Sequence, residues 1–467
     1  MHPRLHASSI PTRIILTMLQ FLRGIIGLIL RILNAILAVF GIGPVGGSFA
    51  HGGFGGVGDS THALTGKMLT FDNGRSVRIG RQVAEGGFSF VFEAYDADKR
   101  VRNAHPQKYA LKRINCSDPE LVQACREEAG VHRSLDHDNL MPLLGLKFDS
   151  SRDVPGVTVC YMLFPFLDFS LRDDITKRRL LDDNADGGSS GGGSDAKAGG
   201  RGGAARKPYK EVEMLQIFGQ VVDAVMAMHS AGLAHRDIKL ENVLLEADAA
   251  AGSDGSGGGG GGGSRYSDQR RQRRSAGRKH PKPVLMDFGS AGPVTYSLKS
   301  RSDVLRLTEL AAQHCTMPYR APELFDGGVR HGLDERPVDG RVDVWSLGCL
   351  LFGMMYGSSP FEIEFRRDGT VRIVECTHLR VLGPVPTPPL GTEAASRYSR
   401  DVSDAVKWML NQARLERPTI EQVSHRVDEL LQKAGGERIR ASTSSSTTVR
   451  NQEDSTFDPF GAAKDMA

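Results

Sequence analysis

His235-Arg236-Asp237-Ile238-Lys239-Leu240-Glu241-Asn242 runs directly into the apolar stretch Val243-Leu244-Leu245. Its spacing decides the reading of the chain: a lysine stands two positions after the aspartate and an asparagine five positions after it. A second acidic turn, Asp287-Phe288-Gly289, closes another apolar run, Val284-Leu285-Met286, and Ala321-Pro322-Glu323 follows further on. A lone His-Arg-Asp tripeptide carries little information, and any one of these acidic residues would pass for a solvated loop position. The three motifs in this order are far more specific than each taken singly.

That order resembles the protein kinases, which implies an α+β fold in two lobes, a small β-rich one and a larger helical one. It also implies transfer of a phosphoryl group from ATP with the help of Mg2+. The residue roles are taken over from that family as a template. Asp237 is expected to accept the proton of the substrate hydroxyl, and Lys239 to neutralise charge on the moving phosphoryl group. A lysine at that position marks serine/threonine over tyrosine specificity in the family. Asn242 and Asp287 are the expected magnesium ligands. Thr316 would contact Asp237, Glu323 and Arg417 would form a buried ion pair, and Asp343 would steady the catalytic loop. Trp345 and the apolar residues through Met355 read as core.

The segment before the catalytic loop carries the matching small-lobe pattern. Ala84-Glu85-Gly86-Gly87-Phe88-Ser89, with Val91 two residues on, reads as a hairpin over the nucleotide phosphates, Val91 packing on the base. Of the glycine triad expected there only Gly86 is in register; Ala84 and Ser89 occupy the other positions. Tyr109-Ala110-Leu111-Lys112 is the strand lysine motif, with Lys112 on the phosphates and Ala110 beside the base. The helical stretch Leu121 to Leu135 supplies Glu128, nine residues before His137, as the lysine's ion-pair partner. Glu127 is its solvated neighbour. Val159 to Phe164 reads as a buried strand, Pro165-Phe166-Leu167 as the hinge along the adenine, and Leu244 as a further nucleotide contact.

At 467 residues the chain suits one bilobal domain with inserts and tails. A formal net charge of +4 gives no field that points to nucleic acid. Six cysteines without a Cys-x-x-Cys pair read as buried reduced thiols, which disfavours a zinc or disulfide framework. The kinase domain is expected over 71–435. Gly/Ser-rich inserts at about 183–207 and 247–280, the second with the basic run Arg270-Arg271-Gln272-Arg273-Arg274, read as disordered. Residues 436–467 read as a disordered tail.

Residues 1–70 read as an anchoring segment followed by a Gly-rich tether. Over 14–40, Arg13, Arg23, Arg31 and Asn34 fall on a narrow polar stripe opposite Ile15, Leu19, Leu22, Ile26 and Leu33. A helix of this length is roughly 40 Å long. Burying Arg23 and Arg31 in a bilayer costs about 2.5–3.5 kcal/mol each. The Leu, Ile, Phe and Val residues return roughly 0.3–0.6 kcal/mol each, so the two sums nearly cancel. Lying in the membrane interface removes the arginine cost and is the preferred reading. A true span, a cleaved mitochondrial or other organellar presequence, and a helix packed on the domain are the alternatives.

Ala-Glu-Gly-Gly-Phe-Ser-Phe-Val in place of a full glycine loop, the Asp-Phe-Gly-Ser-Ala turn, and helical periodicity in Leu298 to Ala312 (Val304, Leu305, Leu307, Leu310, Ala311) resemble the numb-associated kinases. Arg126 to Arg133 and Gln313 to Phe325 are most similar to their myristoylated and palmitoylated serine/threonine kinase subgroup. That resemblance implies membrane association on the Golgi, trans-Golgi or secretory pathway. The chain departs from it in beginning Met1-His2 and having no cysteine before Cys116, so the 14–40 segment would take the place of the lipids. Members of the group dock on clathrin-adaptor appendages through Asp-Pro-Phe, and Asp458-Pro459-Phe460 offers that motif here. Ser297, Ser300, Ser302 and Thr308 are candidate phosphorylation sites. The alternative to an active enzyme is a membrane-tethered pseudokinase scaffold, which the missing glycines favour and the presence of Lys112, Glu128, Asp237, Asn242 and Asp287 opposes.

Overall fold

The computed structural model describes residues 64–85, 89–97, 107–151, 156–183, 208–246, 280–326 and 337–440. Gly86, Gly87 and Phe88, the 14–40 segment, both inserts apart from Asp183 and His280, and Asp458-Pro459-Phe460 lie outside the described residues.

The smaller lobe is built on one antiparallel sheet ordered β1-β2-β3-β4-β6-β5. Its strands are β1 (Met68–Thr70), β2 (Ser76–Glu85), β3 (Ser89–Asp96), β4 (Lys108–Cys116), β5 (Gly145–Ser150) and β6 (Thr158–Pro165). The period-two alternation of a strand sorts its side chains. Phe92, Ala94, Tyr109, Leu111, Tyr161 and Leu163 fill a core on one face. Ile114, Cys116, Cys160, Met162 and Phe164 pack on the other with Cys125 and Ala129. These two belong to helix α1 (Pro119–Ser134), whose start is set by Asp118, the carboxylate of which accepts Leu121 N–H at 2.8 Å, and by Pro119 in the first turn.

The larger lobe contains α2 (Leu171–Asp183), α3 (Glu211–Ser230), α4 (Arg301–His314), α5 (Arg341–Tyr356), α6 (Arg400–Met409) and α7 (Ile420–Lys433). Helix α5 is apolar on almost every side, as a central helix must be, and every residue from Val342 to Tyr356 is buried. Helix α3 is capped at Ala231 and followed by Gly232, whose φ of +79° suits a residue without Cβ. The catalytic stretch then lies between short strands. β7 (Phe169–Ser170), β9 (Val243–Glu246) and β10 (Lys282–Leu285) form one small sheet, and β8 (Leu233–Ala234) pairs with β11 (Gly292–Pro293). The connection into β5 is stitched to β10 by Met141 N–H to Leu285 O (2.9 Å) and Leu285 N–H to Asn139 O (2.8 Å).

Several expectations shift. Strand β1 pairs with β2 ahead of residue 71, so the sheet starts inside the expected tether. The folded part also runs past 435. Arg438 donates to Asp223 at 2.6 Å and to Asp428 at 3.0 Å, and Arg440 to Asp428 at 2.8 Å. The activation-segment helix spans Arg301–His314, with Ser300 as its cap, and Leu305 stands 62% exposed while Val304, Leu307 and Ala311 are buried. All six cysteines are free thiols, five buried and Cys376 half-buried. No helix among the described residues is long and apolar enough to cross a membrane.

His132 joins the two lobes. It lies one helical turn after Glu128 on α1, and its Nδ1 is 2.8 Å from Met141 O. Its ring packs on Phe288 (4.4 Å) and Phe164 (5.0 Å), and it is 4% exposed. Burial pushes its pKa down to about 4, against the pull of Glu128. An unfolded histidine titrates near 6.5, so between those values the unfolded chain takes up a proton that the fold refuses. Stability should therefore fall as pH drops through that window, by at most about 1.4 kcal/mol per pH unit for this group. Thermal midpoints recorded from pH 7 to 4 should fall less steeply for His132→Leu than for the parent. Parallel curves would contradict a neutral, buried His132.

Candidate active site

Lys112 sits on the face of β4 that looks toward α1, in register with Val91 of β3 and Met162 of β6. Glu128 lies on the buried stripe of α1 with Cys125, Ala129 and His132. The two meet, Lys112 Nζ donating to Glu128 Oε1 at 2.8 Å, and Asp287 Oδ1 stands 3.6 Å from the same ammonium. Glu127 is engaged elsewhere, accepting Gln123 Nε2 at 3.0 Å. Burial disfavours the Lys112 charge, but Glu128 and then Asp287 outweigh it and its pKa is raised. For Asp287 burial works against ionisation too, and Lys112 overcomes it, so its pKa is lowered. The site thus holds a fixed cation between two anions, with the Asp287 side chain still 40% exposed.

The catalytic loop is shaped by strain and by one buried acid. Arg236 adopts φ +68° and Asp287 φ +69°, the two non-glycine residues among those described with positive φ. Such conformations persist where surrounding contacts enforce them. Asp343 of α5, wholly buried, accepts His235 N–H on Oδ2 and Arg236 N–H on Oδ1, both at 2.8 Å, and His229 Nε2 lies 2.9 Å from Oδ2. Arg236 Nη2 reaches Pro293 O at 2.8 Å. A Cβ at Gly292 would lie 2.5 Å from Arg236 Nη1, so a larger residue there would push the guanidinium aside.

Asp237, 6% exposed, is gripped from several directions. Lys239 Nζ donates to its Oδ2 at 2.6 Å and to Thr316 Oγ1 at 2.7 Å, and Thr316 N–H donates to Oδ1 at 2.9 Å. Asn242 Nδ2 donates to Asp237 O at 2.9 Å and to Oδ2 at 3.1 Å. With its amide nitrogen committed, Asn242 has Oδ1 as the atom available for a ligand. That oxygen and the Asp287 carboxylate make a two-oxygen donor set. Such hard donors suit Mg2+, which takes its remaining positions from phosphates and water, so the residues fit the ion.

Those of the expected nucleotide residues that the structure describes fall on one strip of the cleft. Ala84 and Glu85 close β2, paired with Val91 and Phe90, and Ser89 opens β3. Ala110, Leu167 and Leu244 are half-buried around the cluster containing Phe164, Met162 and Val284, while Pro165 ends β6 and leads into Phe166. Met286 and Phe164 belong to the same strip, and sequence reading did not single them out. His132 escaped as well, although its place four residues after Glu128 puts it on the same helix face. Beneath the groove Arg417 and Glu323 form a two-pronged pair at 2.7 and 3.0 Å, with the guanidinium 4.9 Å from the Trp345 ring. Lys112, Glu128, Asp237, Asn242 and Asp287 are all present in this assembly.

Comparison with known proteins agrees with the geometry. The protein kinase domain family model matches residues 77–427. A probable serine/threonine-protein kinase of Dictyostelium discoideum is 31% identical over 392 residues, covering 77% of this chain and 95% of its own. The serine/threonine-protein kinase 16 of Homo sapiens is 28% identical over 314 residues, 67% of this chain and 80% of its own. A serine/threonine-protein kinase of Saccharomyces cerevisiae is 24% identical over 387 residues, covering 77% and 93%. A lysine–glutamate pair and a Thr-tethered aspartate, in a chain matched along most of its length, lead to one conclusion: it belongs to the protein kinase family, as a serine/threonine protein kinase.

Proposed function

We propose that this kinase is a numb-associated kinase of the myristoylated and palmitoylated subgroup type, passing the ATP γ-phosphate to protein Ser and Thr hydroxyls at a cytosol-facing membrane of the secretory pathway. The carrying observation is the Asp237 carboxylate, fixed by Lys239, Thr316 and Asn242 across the cleft from Lys112 and Asp287. A carboxylate so held can receive the proton of an incoming hydroxyl as that oxygen bonds to the γ-phosphorus and the bond to the β-phosphate oxygen breaks, releasing ADP. Lys239, already shared between Asp237 and Thr316, offsets negative charge beside the transferring group. Lys112 binds the α- and β-phosphates, and Glu128 keeps its ammonium aimed at them. Asn242 and Asp287 would hold magnesium, which would supply positive charge to offset that of the phosphates. Ala84 to Ser89 with Val91 cover the phosphates and base, and Ala110, Pro165, Phe166, Leu167 and Leu244 line the adenine.

Two features support the numb-associated family, the Asp-Phe-Gly-Ser-Ala turn and helix α4 where an irregular activation loop is usual, and the stretches Arg126 to Arg133 and Gln313 to Phe325 support the subgroup. The membrane setting rests on the amphipathic 14–40 segment, and docking to a clathrin-adaptor appendage on Asp458-Pro459-Phe460.

Asp237→Asn should lower autophosphorylation by about 10²-fold or more, the scale of a lost general base, while ATP binding persists. Equal phosphorylation by the variant would end the assignment of Asp237. Deleting residues 1–45 should move the protein from the membrane pellet to the soluble fraction. Unchanged pelleting would count against the anchor, and a purely mitochondrial signal from a reporter carrying the first 60 residues would favour a presequence.

A further inference from the structure

Beyond the expected nucleotide contacts, the cleft face of the sheet carries a buried charge with no part in the mechanism above. On β3 the core takes Phe92 and Ala94, so Val91, Glu93 and Tyr95 face the other way. On β4 the core takes Tyr109 and Leu111, leaving Lys108, Ala110 and Lys112 on that same side. Glu93 is in register with Ala110, as Val91 is with Lys112. It therefore stands one step outward from the pair expected to touch the base.

Glu93 is 4% exposed, and its carboxylate is fully occupied. Arg81 Nη2 approaches at 3.0 Å, Lys108 Nζ at 2.9 Å, and Tyr95 Oη donates at 2.8 Å. Lys108 also stands 3.6 Å from the centroid of the Phe166 ring, in the segment that leaves β6 for the larger lobe. The packing is close enough to require a bare backbone nearby: a Cβ at Gly80 would lie 2.8 Å from the Tyr95 ring and 3.1 Å from Glu93 O. Arg81 first, then Lys108 and Tyr95, hold the Glu93 carboxyl down to about 2 despite its burial, so that carboxylate stays ionised across the working pH range.

We propose that Glu93 is a positioning residue for the nucleotide: through Lys108 it clamps Phe166, and with it the hinge segment, against the outer edge of the strip formed by Val91 and Ala110. The inference rests on that strip being the adenine site. A cation held by one carboxylate and one ring ties β3, β4 and the inter-lobe segment at a single point. Loosening it widens the pocket without touching Asp237, Lys239 or the metal ligands. The cost falls on ATP affinity and leaves phosphoryl transfer alone.

The test uses the full chain, casein as phosphoacceptor and ATP saturation curves for Glu93→Gln, Lys108→Gln, the double variant and Lys112→Met. Glu93→Gln should raise KM for ATP about fivefold or more, change kcat by less than about twofold, and leave KM for casein alone. Lys108→Gln, a change at a side chain 33% exposed, should reproduce the effect even if Glu93→Gln folds poorly. The double variant should be no worse than the more affected single one, as expected of two ends of one clamp. An unchanged KM for ATP in both single variants, or a fall confined to kcat, would overturn the clamp. If Lys112→Met bound and used ATP like the parent, the nucleotide site itself would be wrong, and the clamp would fall with it. A defective Lys112→Met beside silent Glu93 and Lys108 variants would reject the clamp alone.

Discussion

A carboxylate with no solvent exposure holds the active site in shape. Asp343 lies inside the most buried helix of the large lobe, where an unpaired charge would cost several kcal/mol. Burial opposes its ionisation, yet the bond from His229 and the charges near it keep its pKa lowered. It spends both oxygens on consecutive backbone amides, those of His235 and Arg236. That forces Arg236 into the left-handed region and turns the next residue, Asp237, toward the groove. Remove the acceptor and the backbone has every reason to relax, because a non-glycine residue at positive φ is held there only by its contacts. The guanidinium of Arg236 then carries the constraint onward to Pro293 and the start of the activation segment.

The small-lobe half of the site depends on a different economy. Lys112 and Glu128 come from a strand and a helix that share an apolar layer, so the ion pair exists only while α1 packs on the sheet. His132, on the same face of α1, touches the Asp287 motif through Phe288 and the sheet through Phe164. Position of the helix, state of the Asp-Phe-Gly turn and charge of Lys112 are therefore one coupled arrangement. The two backbone bonds between Asn139, Met141 and Leu285 make the lobe boundary continuous at that point.

The sequence was most legible where chemistry demands fixed residue types at fixed spacing. Lys112 could be paired with Glu128 in advance, and the resemblance to kinases supplied the pairing of Glu323 with Arg417 and the contact of Asp343 with the loop before Asp237. It was least legible where the decisive property is environment. Leu305 fits the helical pattern of α4 yet points outward, because a stripe of periodicity does not say which edge of it meets the core. Arg438 reads as part of a polar tail, and only the fold reveals that it meets Asp223 of α3. Glu93 and His132 carry polar groups into buried positions, where composition argues for the surface and tertiary partners decide. The boundary at 71 was missed because β1 is three residues long and carries too short an alternation to be read.

Buried Asp343 braces the loop that carries Asp237, through the amides of His235 and Arg236, without itself reaching the surface of the cleft. Single-turnover phosphorylation by Asp343→Asn, measured beside ATP affinity, tests it directly. The substitution preserves shape but replaces one acceptor oxygen with a donor. The transfer step should slow by about 10²-fold or more, as misplacement of a catalytic group does, with ATP affinity within about threefold of the parent. Transfer at the parental rate by a folded Asp343→Asn protein would contradict it.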